Sequence, residues 1–253
     1  MKGVNRDRTT CLLAHSNSLC GVEFVVERRP DDSSVVHLTF TPEESLTTFT
    51  DALALAENAG VDAPLWVHGT TPERRAHLQS AGLTSNRTLL KMMSPLPTAK
   101  SSVETTGFTE ADLDDFVAVN NRAFSWHPEQ SGLTVDAVRR TMTEPWFDPE
   151  GFRLHRIDGA LAGFCWTRVH ETDDLASGRA GEIYVIAVDV PFHGRGLGKG
   201  MTLAGLDHLA GLGITTAILY VESDNEAAVA TYEKLGFTVG REDTLWTRPE
   251  QGA

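Results

Sequence analysis

Glu182-Ile183-Tyr184-Val185-Ile186-Ala187-Val188-Asp189, followed shortly by His193-Gly194-Arg195-Gly196-Leu197-Gly198, decides how this chain folds. The segment reads as a strand, then a glycine-rich turn, then a helix opening near Leu197. Glycines at alternate positions let the backbone approach a ligand closely. The helix start behind them carries unpaired N–H groups and the positive end of the helix dipole, which suits a diphosphate. A phosphate-bearing cofactor is the expectation for this turn.

Two common phosphate loops are excluded. A P-loop needs G-x-x-x-x-G-K-[ST], but Gly198-Lys199 runs into Gly200, and the position where the loop's first glycine belongs is His193. A dinucleotide G-x-G-x-x-G fails in both registers, at Lys199 and at Met201. The pattern left, [QRH]-x-x-G-x-G, resembles the pyrophosphate loop of the GCN5-related N-acetyltransferases, which bind acetyl-coenzyme A. A second segment agrees. Leu219-Tyr220-Val221-Glu222 reads as a short strand, and Ser223-Asp224-Asn225-Glu226 as a capping box opening a helix. That helix carries Asn225, Ala228 and Tyr232 on one face and ends at Gly236-Phe237, the N-x-x-A-x-x-x-Y-x-x-x-G-F pattern of the same superfamily.

Working outward, Ser94 to Ser102 is small, polar and proline-punctuated, and reads as a linker. The expected division is residues 1–94, a linker at 95–104, and a catalytic domain at 105–253. Beyond the linker, helices are expected near 110–124 and 134–143. A hairpin over 152–157 and 161–169 turns at Asp158-Gly159. The strand at Glu182, a helix over 197–212, a strand over 217–221, the Asn225 helix and a last strand over 237–246 complete an α+β order with a mixed sheet, as the acetyltransferase fold requires. The first half reads as a shortened, degenerate copy of that plan. Thr71 to Leu83 lies over Asn225 to Phe237, with Gly82 on Gly236, Leu78 on Tyr232 and Arg74 on Ala228. Its counterpart of the phosphate loop, Thr39 to Ser45, has no glycine and two glutamates that would repel a diphosphate. A structural role is expected for this half.

Composition narrows the partners. A net charge of −13 disfavours nucleic acid and anionic membranes and is compatible with an amine substrate. Cys11, Cys20 and Cys165 are too few and too scattered for a disulfide framework. The histidines show no metal-ligand spacing, and no long apolar run is present, so no metal, no signal peptide and a cytoplasmic monomer are expected.

Further segments resemble the mycothiol synthase family, across most of residues 105–247. They are Asn120-Asn121-Arg122, His127-Pro128-Glu129-Gln130, Trp146-Phe147-Asp148-Pro149, Gly163 to His170, Gly181 to Val185, and Leu219 to Asn225. The resemblance implies an actinobacterial source and transfer of acetyl from acetyl-CoA to the cysteinyl amine of a cysteine–glucosamine–inositol conjugate. It implies cofactor contacts from Ile186, Ala187 and Val188, which would pair with the pantetheine arm. Contacts also follow from His193, Gly194, Arg195, Gly196, Leu197, Gly198 and Lys199 to the diphosphate, and from Asn225, Glu226, Ala227, Ala228, Val229 and Ala230. Glu129, Arg168, Glu182 and Tyr220 are the implied substrate contacts. The family's first half is longer and can itself hold acetyl-CoA, so the shortening here departs from its pattern. Other acetyltransferases, of protein N-termini or aminoglycosides, fit the superfamily motifs equally, and a non-catalytic CoA-binding protein is the reading from another class.

The chemistry can be read from the residues. An α-amino group titrates near about 8, so much of it is protonated at neutral pH and needs a base. Glu182, beginning the central strand before an apolar run, is the candidate. The leaving thiolate, from a thiol with a pKa of roughly 8.5, needs a proton, and Tyr232 is the candidate acid. Cys165 lies outside the superfamily motifs, so direct attack is expected over a covalent acetyl-enzyme.

Overall fold

The structure is a computed structural model that describes residues 22–28, 34–40, 54, 64–125, 132–176 and 178–249. In chain order the first elements are β1 (Val22–Arg28), β2 (Ser34–Phe40), β3 (Leu65–His68), α1 (Pro72–Ser80) and β4 (Thr84–Pro95). A 3₁₀ turn at Glu110–Asp112 leads into α2 (Leu113–Ala123), followed by α3 (Val135–Met142), β5 (Phe152–Ile157), β6 (Ala160–Asp173) and β7 (Gly178–Val188). A second 3₁₀ turn at Val190–Phe192 precedes α4 (Leu197–Gly211), β8 (Thr216–Glu222), α5 (Glu226–Lys234) and β9 (Thr238–Thr247).

The chain divides into two compact units, a carboxy-terminal one holding Met92–Tyr220 with Ala227–Thr238, and an amino-terminal one holding Asp7–Lys91, Val221–Glu226 and Val239–Ala253. The boundary falls within β4, and the last strand groups with the amino-terminal unit because Leu65–His68 of β3 pairs antiparallel with Asp243–Trp246 of β9. The stretch expected as a linker is tied down. β4 runs to Pro95, the Leu96 N–H donates to the Thr215 carbonyl at 2.9 Å, and the Ser101 hydroxyl donates to the Gly200 carbonyl at 2.8 Å. Small polar residues there anchor to α4 and its following loop.

In the carboxy-terminal unit the sheet order is β4-β8-β7-β6-β5. β5, β6 and β7 are antiparallel, while β7 and β8 run parallel, the mixed sheet expected. The β5–β6 hairpin turns where expected, with Asp158 at φ 51° and Gly159 at φ 82°, the two left-handed positions a type I′ turn demands. One face carries an aromatic core: Phe108 stacks on Phe152 at 4.3 Å between centroids, Phe152 on Trp166 at 4.5 Å, and Phe116 meets Phe152 edge-on at 4.8 Å. Such burial of large rings is worth about 2–3 kcal/mol each before packing terms. α2 closes this face with Leu113, Phe116, Val119 and Asn120, buried at helical spacing.

The other face is covered by α4, whose Met201, Leu206 and Leu209 are fully buried. The helix lies close to the sheet because glycines permit it. A Cβ on Gly205 would come within 2.5 Å of the Cys165 sulfur, and one on Gly181 within 2.6 Å of Leu209.

In the amino-terminal unit the order is β1-β2-β3-β9-β4. β1 and β2 are antiparallel, β2 and β3 parallel. One of its buried charged residues is Asp243, which accepts from His68 Nδ1 at 2.9 Å, the Gly69 N–H at 3.0 Å and Arg241 Nε at 2.8 Å. Those donors, against the cost of burial, hold the Asp243 carboxyl well below the usual carboxylate range. The expected overlay of the two halves has a counterpart in backbone bonds. After α1, N–H groups of Ala81, Gly82 and Leu83 donate to His77, Gln79 and Leu78, and after α5 those of Leu235, Gly236 and Phe237 donate to Thr231, Glu233 and Tyr232. Both helices stop at a left-handed glycine, Gly82 at φ 79° and Gly236 at φ 91°, which is a Schellman ending. The expected second loop, Thr39 to Ser45, lies outside the described residues beyond Phe40.

Candidate active site

The site begins where two parallel strands part. β7 pairs with β8 at Gly181↔Ala217, Glu182↔Ile218 and Ile183↔Leu219, and this pairing then ends. β7 continues to Val188, bonded only on its other side to β6, through Trp166↔Val185, Cys165↔Ile186, Phe164↔Ala187 and Gly163↔Val188. A bulge at this place leaves Tyr184 as an extra residue between the Trp166 and Thr167 partners. The burial pattern follows the split. Residues from Gly181 to Tyr184 are buried, and those from Val185 to Val188 half-buried. The edge facing β8 from Val185 to Val188 is therefore a strip of backbone open to an extended ligand, as β-augmentation uses.

At the end of that strip stands the glycine turn. Gly194 at φ 76° and Gly196 at φ 73° are left-handed, a conformation that L side chains rarely adopt. Gly196 caps α4 with no side-chain donor or acceptor. Among the described residues, none of the backbone N–H groups from Gly194 to Lys199 has a protein acceptor, and the first bond of α4 is Gly200 N–H to Gly196 O at 3.4 Å. Open donors at a helix start form an anion cradle. Two braces fix the turn. Arg122 on α2 makes a two-pronged bond to Asp189, at 3.1 and 2.8 Å, and Asp189 also accepts from the Val190 N–H at 3.0 Å. The Arg122 partner holds the Asp189 carboxyl below its ordinary range. The His193 ring is bonded to the Val188 carbonyl at 2.9 Å and its backbone N–H donates to the Val190 carbonyl at 3.2 Å, so both serve the turn, and the open donors begin at Gly194 and not at His193 as expected.

Glu182 lies at the closed end of the split. Its residue is only 4% exposed. Ile183 and Cys165 point toward α4, both lying close to the Cβ position of Gly205, so alternation turns Glu182 to the opposite face. There its carboxylate bonds His170 Nε2 at 2.7 Å. Arg168, directly opposite Glu182 in the β6–β7 register, does not pair with it. Its guanidinium instead lies over the Trp146 ring at 4.4 Å and near Tyr184 at 5.9 Å, and its Nε is buried without a partner. Trp146, Trp166 and Tyr184 form an aromatic floor beside it, with centroids 5.2 to 5.8 Å apart.

Tyr232, on α5, packs its ring against Phe237 at 5.9 Å and is 9% exposed. Its hydroxyl has no hydrogen-bond partner among the described residues. Burial, with a smaller contribution from the Cys165 thiol, pushes the phenol above its ordinary value. Cys165 is buried and its thiol is pushed up to about 12 by desolvation, so it offers no thiolate for a covalent acetyl-enzyme.

The remaining expected residues fare unevenly. Tyr220 follows the last β8 residue paired to β7 and is half-buried. Ala228, Val229 and Ala230 are half-buried on α5, while Asn225, Glu226 and Ala227 are exposed. Asn225 and Glu226 fall in the amino-terminal unit. α5 starts at Glu226, so the cap position is Asn225, and Ser223, the expected first residue of a capping box, stands two residues before it. The turn at Ser223-Asp224, closed by Asn225 N–H to Glu222 O at 3.1 Å, takes the place of that box. Glu129, with His127 to Gln130, lies outside the described residues. Arg122, Trp146 and His170 lie in the segments that carry the family resemblance, but sequence reasoning gave no role to His170 and foresaw neither the Arg122–Asp189 brace nor the Trp146 seat for Arg168. The signal available for His170 was its two-residue spacing from Arg168 on one strand face. Among the described residues no group of three or more His, Cys, Asp or Glu could hold a metal ion, and no helix is long and apolar enough to cross a membrane.

Residues 114–237 match the acetyltransferase (GNAT) family. The chain is 43% identical over 203 residues to a mycothiol acetyltransferase of Mycobacteroides abscessus, covering 77% of this chain and 67% of that one. It is 37% identical to that of Mycolicibacterium smegmatis over 97% of this chain and 86% of the relative, and 36% identical to that of Segniliparus rotundus over 90% of each. Among solved structures, a GCN5-related N-acetyltransferase from Sphaerobacter thermophilus aligns with a TM-score of 0.67 at 17% identity, covering 89% of this chain and 76% of that one. A tandem GNAT protein from the clavulanic acid biosynthesis pathway aligns at 0.56 with 15% identity, covering 89% and 78%.

Proposed function

This chain belongs to the mycothiol acetyltransferase family of GCN5-related N-acetyltransferases, and we propose that it moves acetyl from acetyl-CoA to the cysteinyl amine of cysteinyl-glucosamine-inositol, giving mycothiol and CoA. The observation that carries this reading is the open edge of β7 after Ile183, with the glycine turn at one end and buried Glu182 at the other. Acetyl-CoA fits that edge. Its pantetheine amides pair with the backbone of Ile186, Ala187 and Val188, and its diphosphate takes the free N–H groups from Gly194 to Lys199.

The amine then attacks the thioester directly. Its lone pair forms the C–N bond as Glu182 accepts a proton from nitrogen, and the tetrahedral adduct collapses with cleavage of the C–S bond. The Tyr232 hydroxyl hydrogen-bonds and protonates the departing sulfur. Arg168, with its guanidinium over the Trp146 ring, and Tyr220 contact the hydroxyl-rich acceptor. The amino-terminal unit, with no glycine in its counterpart loop, serves as a structural partner.

The acceptor itself tests this. Purified protein is incubated with acetyl-CoA and a panel of amines, and products are read by mass spectrometry, because the acceptor's own thiol confounds thiol-release assays. Cysteinyl-glucosamine-inositol should be acetylated at nitrogen, its thiol still titratable, with a kcat/KM at least about a hundredfold above N-terminal peptides or aminoglycosides. A preference for peptides or aminoglycosides contradicts the reading.

A further inference from the structure

We propose that His170 is a positioning residue for the acetyl transfer, fixing the Glu182 carboxylate so that one oxygen stays available to the attacking amine. The inference rests on the reading of Glu182 as the base.

An ionised carboxylate only accepts hydrogen bonds, so at 2.7 Å the His170 Nε2–H donates to Oε2 of Glu182. Among the described residues that is the only partner the carboxylate has. A buried carboxylate with a single donor keeps lone pairs on Oε1 uncommitted, and these are what an ammonium group needs. The neighbouring cation could have taken them. Arg168 sits directly across the strands from Glu182, and a guanidinium paired there would occupy both oxygens in a fork. Trp146 draws it away instead, with the guanidinium carbon 4.4 Å from the ring centroid. His170, two residues along the same strand face, supplies a one-point contact that orients the carboxylate without saturating it.

The position suits this role. The His170 side chain is 27% exposed, against 5% for that of Glu182, so the ring reaches from solvent to the buried oxygen. β6 and β7 are paired on both sides of the contact, at Arg168↔Glu182 and His170↔Ala180, so the imidazole is delivered by a rigid two-strand frame.

The test is a kinetic cycle on the full chain: wild type, His170→Ala, His170→Gln, Glu182→Gln, and the double variant His170→Ala/Glu182→Gln. Melting temperature and CoA affinity are measured alongside. His170→Ala should lower kcat on the order of tenfold to a hundredfold, with KM for acetyl-CoA changed by less than about twofold. His170→Gln, whose amide keeps an N–H donor, should recover part of that loss. Adding His170→Ala to Glu182→Gln should cost nothing further, since there is no base left to orient. The proposal is overturned if His170→Ala turns over like wild type while Glu182→Gln is impaired, or if the two losses multiply. Glu182→Gln with wild-type turnover would instead refute the base assignment itself, and this inference with it. Should His170→Ala not fold, His170→Phe, which keeps a ring without the donor, takes its place.

Discussion

Glu182→Gln is expected to lower kcat with the cysteinyl amine by a factor on the order of a hundred to ten thousand, while acetyl-CoA affinity stays within about twofold of wild type. The substitution is nearly isosteric. The carbonyl of the introduced amide can still accept the His170 N–H, so the contact at 2.7 Å has a replacement and the sheet is undisturbed. What is lost is the only change intended, a group able to take a proton from nitrogen. Because Glu182 is 4% exposed, bulk water cannot readily substitute for it. The loss should shrink at high pH, where the amine is already neutral above its pKa of about 8 and needs a base less. Steady-state kinetics at about pH 7 and about pH 9.5, on either side of that amine pKa, would show this. A variant impaired equally at both, or not at all, contradicts the assignment of Glu182 as base.

Tyr232→Phe should lower kcat on the order of a hundredfold and leave stability and CoA binding nearly intact. The hydroxyl has no protein partner among the described residues, so its removal strands no donor or acceptor. The ring, packed on Phe237 at 5.9 Å, is retained. Burial raises the phenol above its ordinary value of about 10, so the neutral form persists to higher pH, not lower. The wild-type rate should therefore show no alkaline fall from this acid below about pH 10. A weakened phenol also implies that its main service is a hydrogen bond to the sulfur as charge develops, with the proton following. An alkaline limb near about pH 8–9, well under the ordinary phenol value, that vanishes in Tyr232→Phe would contradict this picture.

How far could these features be read from the sequence? The glycine turn was, because its left-handed positions at Gly194 and Gly196 admit few other residues. The Asp158-Gly159 hairpin and the two Schellman glycines were legible for the same reason. Tyr232 came from its place in the superfamily's N-x-x-A-x-x-x-Y-x-x-x-G-F pattern, which is contiguous in sequence. Features set by register were not legible. The His170–Glu182 contact depends on how β6 and β7 align across a bulge, and a slip of one residue would send these side chains to opposite faces. Arg122 and Asp189 are 67 residues apart, and only the packing of α2 over the sheet joins them. Arg168 shows the same limit differently: register puts it opposite Glu182, but the Trp146 ring decides where its charge goes. The polar stretch at Ser101 looked like free linker because its partners, Gly200 and Asp207, are distant in sequence.

The most direct measurement is a crystal structure with bound coenzyme A. The account predicts the diphosphate against the amides from Gly194 to Lys199, the pantetheine arm bonded along Ile186 to Val188, and the sulfur within hydrogen-bond reach of the Tyr232 hydroxyl. Coenzyme A seated elsewhere, with that edge of β7 left bare, would contradict it.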